Sequence, residues 1–151
     1  MVLPLLSKEL QTFTVYLWLS KTSKRFMKYY DNSIYPIALV LSNDAESVNK
    51  YYRNADPNDD EEIDADCKVL ARTMFLSRRT QDDCYPMAVG IIFSKKPTFK
   101  VVVHEAFHAV LMMLDIGLNI PLADLTEEVY AYLIGWVGEC IDDYLNKTNN
   151  E

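Results

Sequence analysis

The chain has 151 residues and a formal net charge of −7; half of its residues are apolar and a quarter charged, and it holds three cysteines. That length and composition predict a single domain spanning 1–151 with enough apolar material for a real core. No apolar run approaches the roughly 18 residues that cross a bilayer. The acidic balance argues against a nucleic-acid backbone as partner.

The first six residues, MVLPLL, are too short for a signal-peptide core and are followed by Lys8 and Glu9 rather than a small-residue cleavage site. Cys67, Cys84 and Cys140 are far apart and form no CxxC pair, so neither a disulfide framework nor a cysteine zinc knuckle is expected. These features predict a soluble cytoplasmic protein with reduced thiols and no membrane partner.

In chain order, residues 12–19 (TFTVYLWL) are β-branched and aromatic and predict a strand. Residues 21–31 carry Phe26, Met27 and Tyr30 at helical spacing and predict a short helix. The run IALVL at 37–41 predicts a second strand. Asp44 is placed to cap a further helix, with Val48, Tyr51 and Tyr52 on its apolar side. Residues 55–66 are expected to form an acidic loop: within DPNDDEEIDAD there are seven acids and no base. Such a run repels itself and is expected to be solvated; it lacks the central glycine and closing glutamate of an EF-hand loop. Residues 67–76 and 87–93 predict two more strands joined by a polar hairpin connection.

From Thr98 the periodicity changes. Pro97 and Thr98 mark a helix start. Val102, Val103, Ala106, Phe107, Val110, Leu111 and Leu114 then recur at three- and four-residue spacing up to Gly117, a predicted stop. A final helix is expected from the N-cap Thr126 to about Tyr144. The predicted fold class is α+β. A small, largely antiparallel sheet with flanking helices leads into two C-terminal helices.

The first of those helices carries the chemistry. His104, Glu105 and His108 form H-E-x-x-H, and they include both histidines of the chain. Residues four apart lie one turn above each other, so both imidazoles can reach one metal ion. Zinc accepts neutral histidine nitrogen at about 2.0–2.1 Å, and Glu105 is offset so as to meet a metal-bound water as general base. This spacing and neighbour arise by chance on the order of once in a thousand such chains. The alternative is two histidines and a surface acid on a core helix.

A catalytic zinc site takes three protein ligands. With no third histidine, the candidates are nearby acids and Cys140. Asp115 lies about 10 Å along the axis from His108 and is too far, and Cys140 lies deep in the last helix. Glu127 and Glu128 remain, in the first turn after Thr126, where acids also favourably oppose the helix dipole. Glu128 shares its helix face with Ala131, Gly135 and Gly138. Such a stripe of small residues predicts close approach by the HExxH helix, which favours Glu128 over Glu127.

HEAFHAV, the turn DIGLNIP and EEVYAYLIGW together resemble the small phage-encoded HExxH metallopeptidases over residues 101–137. The resemblance implies a minimal gluzincin-like zincin site. His104, His108 and Glu128 would be its ligands and Glu105 its base, in a bacteriophage protein acting in the host cytoplasm. Larger zinc peptidases add an oxyanion stabiliser; Tyr132, one turn after Glu128, is the residue to consider, against its reading as a core or interface aromatic. The functional expectation is a zinc-dependent hydrolase acting on a peptide or protein. The alternative is a catalytically silent, zinc-stabilised protein that binds a host or viral protein. The sequence leaves oligomeric state open.

Overall fold

The computed structural model describes residues 27–32, 34–55, 63, 70–79, 88–123 and 126–149. The predicted strand at 12–19 lies outside them, as does most of the acidic stretch. The elements are β1 (Met27–Tyr30), β2 (Ala38–Ser42), α1 (Ala45–Tyr51), β3 (Tyr52–Asn54), β4 (Ala71–Arg78), β5 (Ala88–Phe93), α2 (Phe99–Leu111) and α3 (Glu127–Asn149). The strands form one sheet in the order β1-β2-β5-β4-β3. Among the described residues, its only parallel pair is β2 with β5. This is an α+β architecture with a mostly antiparallel sheet, as the sequence predicts.

The apolar runs of β2 and β5 follow from their position. Both are central, and every residue in each is buried, so neither face can alternate with polar side chains. One face, with Leu39, Leu41, Val89, Ile91 and Phe93, packs against α2 and α3. The other, with Val40, Met74, Leu76 and Ile92, packs against Val48 of α1. A Cβ on Gly90 would lie 2.5 Å from Leu76 Cδ1, so the central strand is pared down where Leu76 crosses it.

Several sequence expectations change. Met27–Tyr30 is a strand, not the end of a helix. Its side chains alternate: Met27 and Tyr29 pack with the α1 core, while Lys28 and Tyr30 reach Asp143 of α3. Period two therefore overrides the helical spacing of Phe26, Met27 and Tyr30. Tyr52 leaves α1 and opens β3, opposite Arg78. β4 begins at Ala71 and runs to Arg78, later than the predicted 67–76. Asp44 is the N-cap residue of α1, but its carboxylate accepts a hydrogen bond from the Ser47 hydroxyl rather than from a backbone amide. Within the acidic stretch, Ile63 is buried, and its backbone exchanges two hydrogen bonds with the Asn49 side chain at 2.8 and 3.0 Å. At that residue the stretch is anchored, not solvated.

α2 starts after Thr98, as predicted, but does not stop at Gly117. It passes through a π-helical turn, Met112–Ile116, and Gly117 is still right-handed at φ −75. The left-handed residue is Asn119 at φ 56, where an asparagine replaces the usual terminal glycine. The Ile120 amide then donates back to the Leu114 carbonyl at 2.8 Å. Gly117 is instead needed for space, since a Cβ there would meet Ile37 Cδ1 at 2.5 Å and the Met112 carbonyl at 3.0 Å.

Candidate metal centre

On α2, the residues facing the sheet and those facing solvent separate by the 100° step of the helix. Ala106, Ala109 and Val110 are buried in the core, whereas His104 and His108 are exposed. The predicted apolar face is too wide for the sheet to cover, so Val103 and Phe107 are exposed with Phe99, four residues apart, beside the histidines.

The two imidazoles converge. Their Nε2 atoms are 3.1 Å apart, with the rings edge-on at 79°. A shared tetrahedral ion bonded at about 2.05 Å would place the two nitrogens about 3.3 Å apart. The observed separation therefore suits a common ligand sphere with small adjustment. Without a cation, the same contact is one N–H···N hydrogen bond, which requires one ring to carry its proton on Nε2. The donor chemistry thus fits zinc: two imidazole nitrogens on one exposed turn of a helix.

Glu105, one residue on, turns toward the sheet. It is 7% exposed, and its Oε2 accepts a hydrogen bond from the Thr73 hydroxyl at 2.5 Å. The same hydroxyl oxygen lies 3.5 Å from the Glu105 carbonyl. Thr73 belongs to β4 and sits opposite Ile91 of β5. Sequence reasoning did not single out Thr73. A threonine in a strand is ordinary, and only the packing of α2 on β4 shows that it meets a glutamate.

The stripe expected to bring Glu128 against α2 is placed differently from the prediction. Glu127 and Glu128 open α3 and are both exposed. The small stripe does not pack against α2: Ala131 and Gly135 are exposed, and a Cβ on Gly135 or Gly138 would meet nothing within 4 Å. α3 instead buries Tyr130, Leu133, Val137, Cys140, Ile141 and Tyr144. Those are large residues, and burying them releases more free energy than burying a stripe of alanine and glycine. Among the described residues, no three histidines, cysteines or acids come together as a metal-holding group.

Asp115 is exposed at the end of α2, and Tyr132 is 61% exposed, so it is no core aromatic. Thr126 ties its hydroxyl back to the preceding segment, accepting from the Ala123 amide at 2.9 Å and donating to the Pro121 carbonyl at 2.6 Å. Tyr130 fixes the same corner by donating to the Ile120 carbonyl at 2.8 Å. Cys140 is a buried free thiol, as expected, and burial, helped by Asp143, pushes its pKa up to about 12.

No family model, curated protein or solved structure matches the chain. Among the described residues, no helix is long and apolar enough to cross a membrane.

Proposed function

We propose that this protein is a zinc-dependent hydrolase acting on peptide bonds, with the metal held by His104 and His108. The observation that carries the reading is the 3.1 Å convergence of the two Nε2 atoms beside a buried glutamate. When bound, zinc supplies Lewis acidity that brings a water's pKa toward about 7 and polarises a carbonyl. Glu105 takes the proton from the attacking water and returns it to the leaving amine. Its carboxylate is suited to this by being anchored through one oxygen while the residue keeps a small exposure.

Glu128 is proposed as the third ligand, supported by the resemblance of residues 101–137 to phage-encoded HExxH metallopeptidases. Tyr132, exposed one turn later, is the proposed oxyanion partner. A phage origin and action in the host cytoplasm belong to the same proposal.

The test is Glu105→Gln. The amide can still accept from Thr73, so fold and zinc content should be retained while turnover of a peptide library falls by about 10²–10⁴-fold. Full activity in this variant would overturn the mechanism.

A second reading is favoured by the burial of Glu105. A carboxylate at 7% exposure, bonded to Thr73, also serves as a clasp between α2 and β4. The protein would then be a catalytically silent, zinc-stabilised binder of a host or viral protein. That reading predicts zinc without turnover, and chelation that lowers thermal stability and binding together.

A further inference from the structure

We propose that Thr73 is a positioning residue for Glu105, fixing the carboxylate as a base and keeping it out of the metal's ligand set. The inference rests on the hydrolytic reading above and concerns the sheet's part in it.

Glu105 neighbours His104 in sequence, and its side chain has three rotatable bonds. A free carboxylate there would be able to turn to bulk water or to the sheet, or to join the ligands of a metal that the imidazoles would hold. Zinc accepts carboxylate oxygen at about 2.0–2.2 Å as readily as imidazole. A glutamate bound that way is spent as a ligand and cannot act as a base. Something must select one rotamer.

The structure supplies it from across the helix–sheet interface. The Thr73 hydroxyl donates to Oε2 at 2.5 Å, and its oxygen lies 3.5 Å from the carbonyl of the same residue. One side chain thus addresses both the backbone and the carboxylate of Glu105. Thr73 is itself rigid. Its strand is paired to β5 at this position, opposite Ile91, and its β-branched side chain has little χ1 freedom. A hydrogen bond from a fixed donor to one oxygen orients the carboxylate and leaves the other oxygen to meet water. The sheet therefore sets the position of a group that the helix alone would leave mobile.

The experiment compares Thr73→Val, Thr73→Ser and wild type, each loaded with zinc for kinetics on a peptide library and with cobalt(II) for its visible spectrum. Thr73→Val should keep one metal per chain and a KM within about twofold, while kcat falls by about 10–100-fold, the usual cost of removing such a supporting partner. Its cobalt spectrum should depart from wild type as the released carboxylate enters the ligand set. Thr73→Ser, which keeps the hydroxyl, should restore both readouts. If Thr73→Val does not fold, Thr73→Ala replaces it in the same comparison.

Unchanged kcat and spectrum in a folded, loaded Thr73→Val would overturn the positioning role alone. So would a Thr73→Ser as impaired as Thr73→Val, which would mark a packing effect. A wild type that binds zinc but cleaves no peptide would defeat the hydrolytic reading and this inference with it. Failure of the wild type to take up either metal would do the same.

Discussion

The four glycines of the chain occupy different kinds of place, and two kinds can be compared directly. Gly117 fills a tight corner, where a Cβ would press on Ile37 and on the Met112 carbonyl. Backbone cannot yield as a flexible side chain can, so Gly117→Ala is expected to cost about 1–3 kcal/mol of stability. Gly135 faces open space in the middle of α3. There an alanine removes backbone freedom from the unfolded chain at no steric cost, and Gly135→Ala should gain roughly 0.5–1 kcal/mol. Urea unfolding of both variants checks the pair of signs. A destabilising Gly135→Ala would mean that another surface lies close against that helix face, reviving the packing predicted for the small stripe. That stripe was misread because sequence shows where glycine stands and not what it faces.

Among elements, the edge strand β1 is held to α3 by a charged cluster. Asp143 accepts from Lys28 at 2.5 Å, from Tyr30 at 2.8 Å and from Lys147 at 3.2 Å. Lys28 is almost fully buried and also lies 4.5 Å over the Tyr30 ring. Burial alone would raise the pKa of Asp143, but hydrogen bonds from Lys147, Lys28 and Tyr30 outweigh it and hold the carboxyl well below the usual range. A carboxyl depressed in the folded state stabilises fully above its ordinary value of about 3.9, and that contribution is lost as pH falls toward the folded value.

Asp143→Asn should therefore lower stability at neutral pH, by about 1 kcal/mol once solvent screening of this partly exposed carboxylate is allowed for. It should also flatten the loss of stability below about pH 4. Thermal melts across pH 2–7 check this, and an unchanged acid limb would contradict it. This cluster explains why β1 was read as a helix. β1 is a strand through its pairing with β2, and Lys28 and Tyr30 find their side-chain partner more than a hundred residues away, which no local pattern reveals. β2, β5 and the start of α2 were legible because apolar runs and a turn-to-helix change are local signals. The exit of α2 was not, because the π-helical turn carries the helix past Gly117 to Asn119.

For the whole molecule, the architecture divides labour between one face of the sheet and the other. α1 closes one core, while α2 and α3 share the opposite face, so α2 is buried on its inner side and free on its outer side. The HExxH spacing was legible because four residues make one turn, and the structure brings His104 and His108 together as that spacing requires. The position of Glu105 against Thr73, and the failure of the small stripe to pack on α2, depend on tertiary contacts and were not legible.

The central claim is that the histidine pair holds zinc. Its most direct test is metal content by elemental analysis, on tag-free protein purified without chelator, beside His108→Ala and Glu128→Ala. About one zinc per chain is expected in the wild type, lost in both variants. Zinc lost with His108→Ala but kept with Glu128→Ala would move the third ligand elsewhere. A wild type that holds no zinc even after reconstitution would overturn the proposal, leaving the 3.1 Å contact as a hydrogen bond between the two imidazoles.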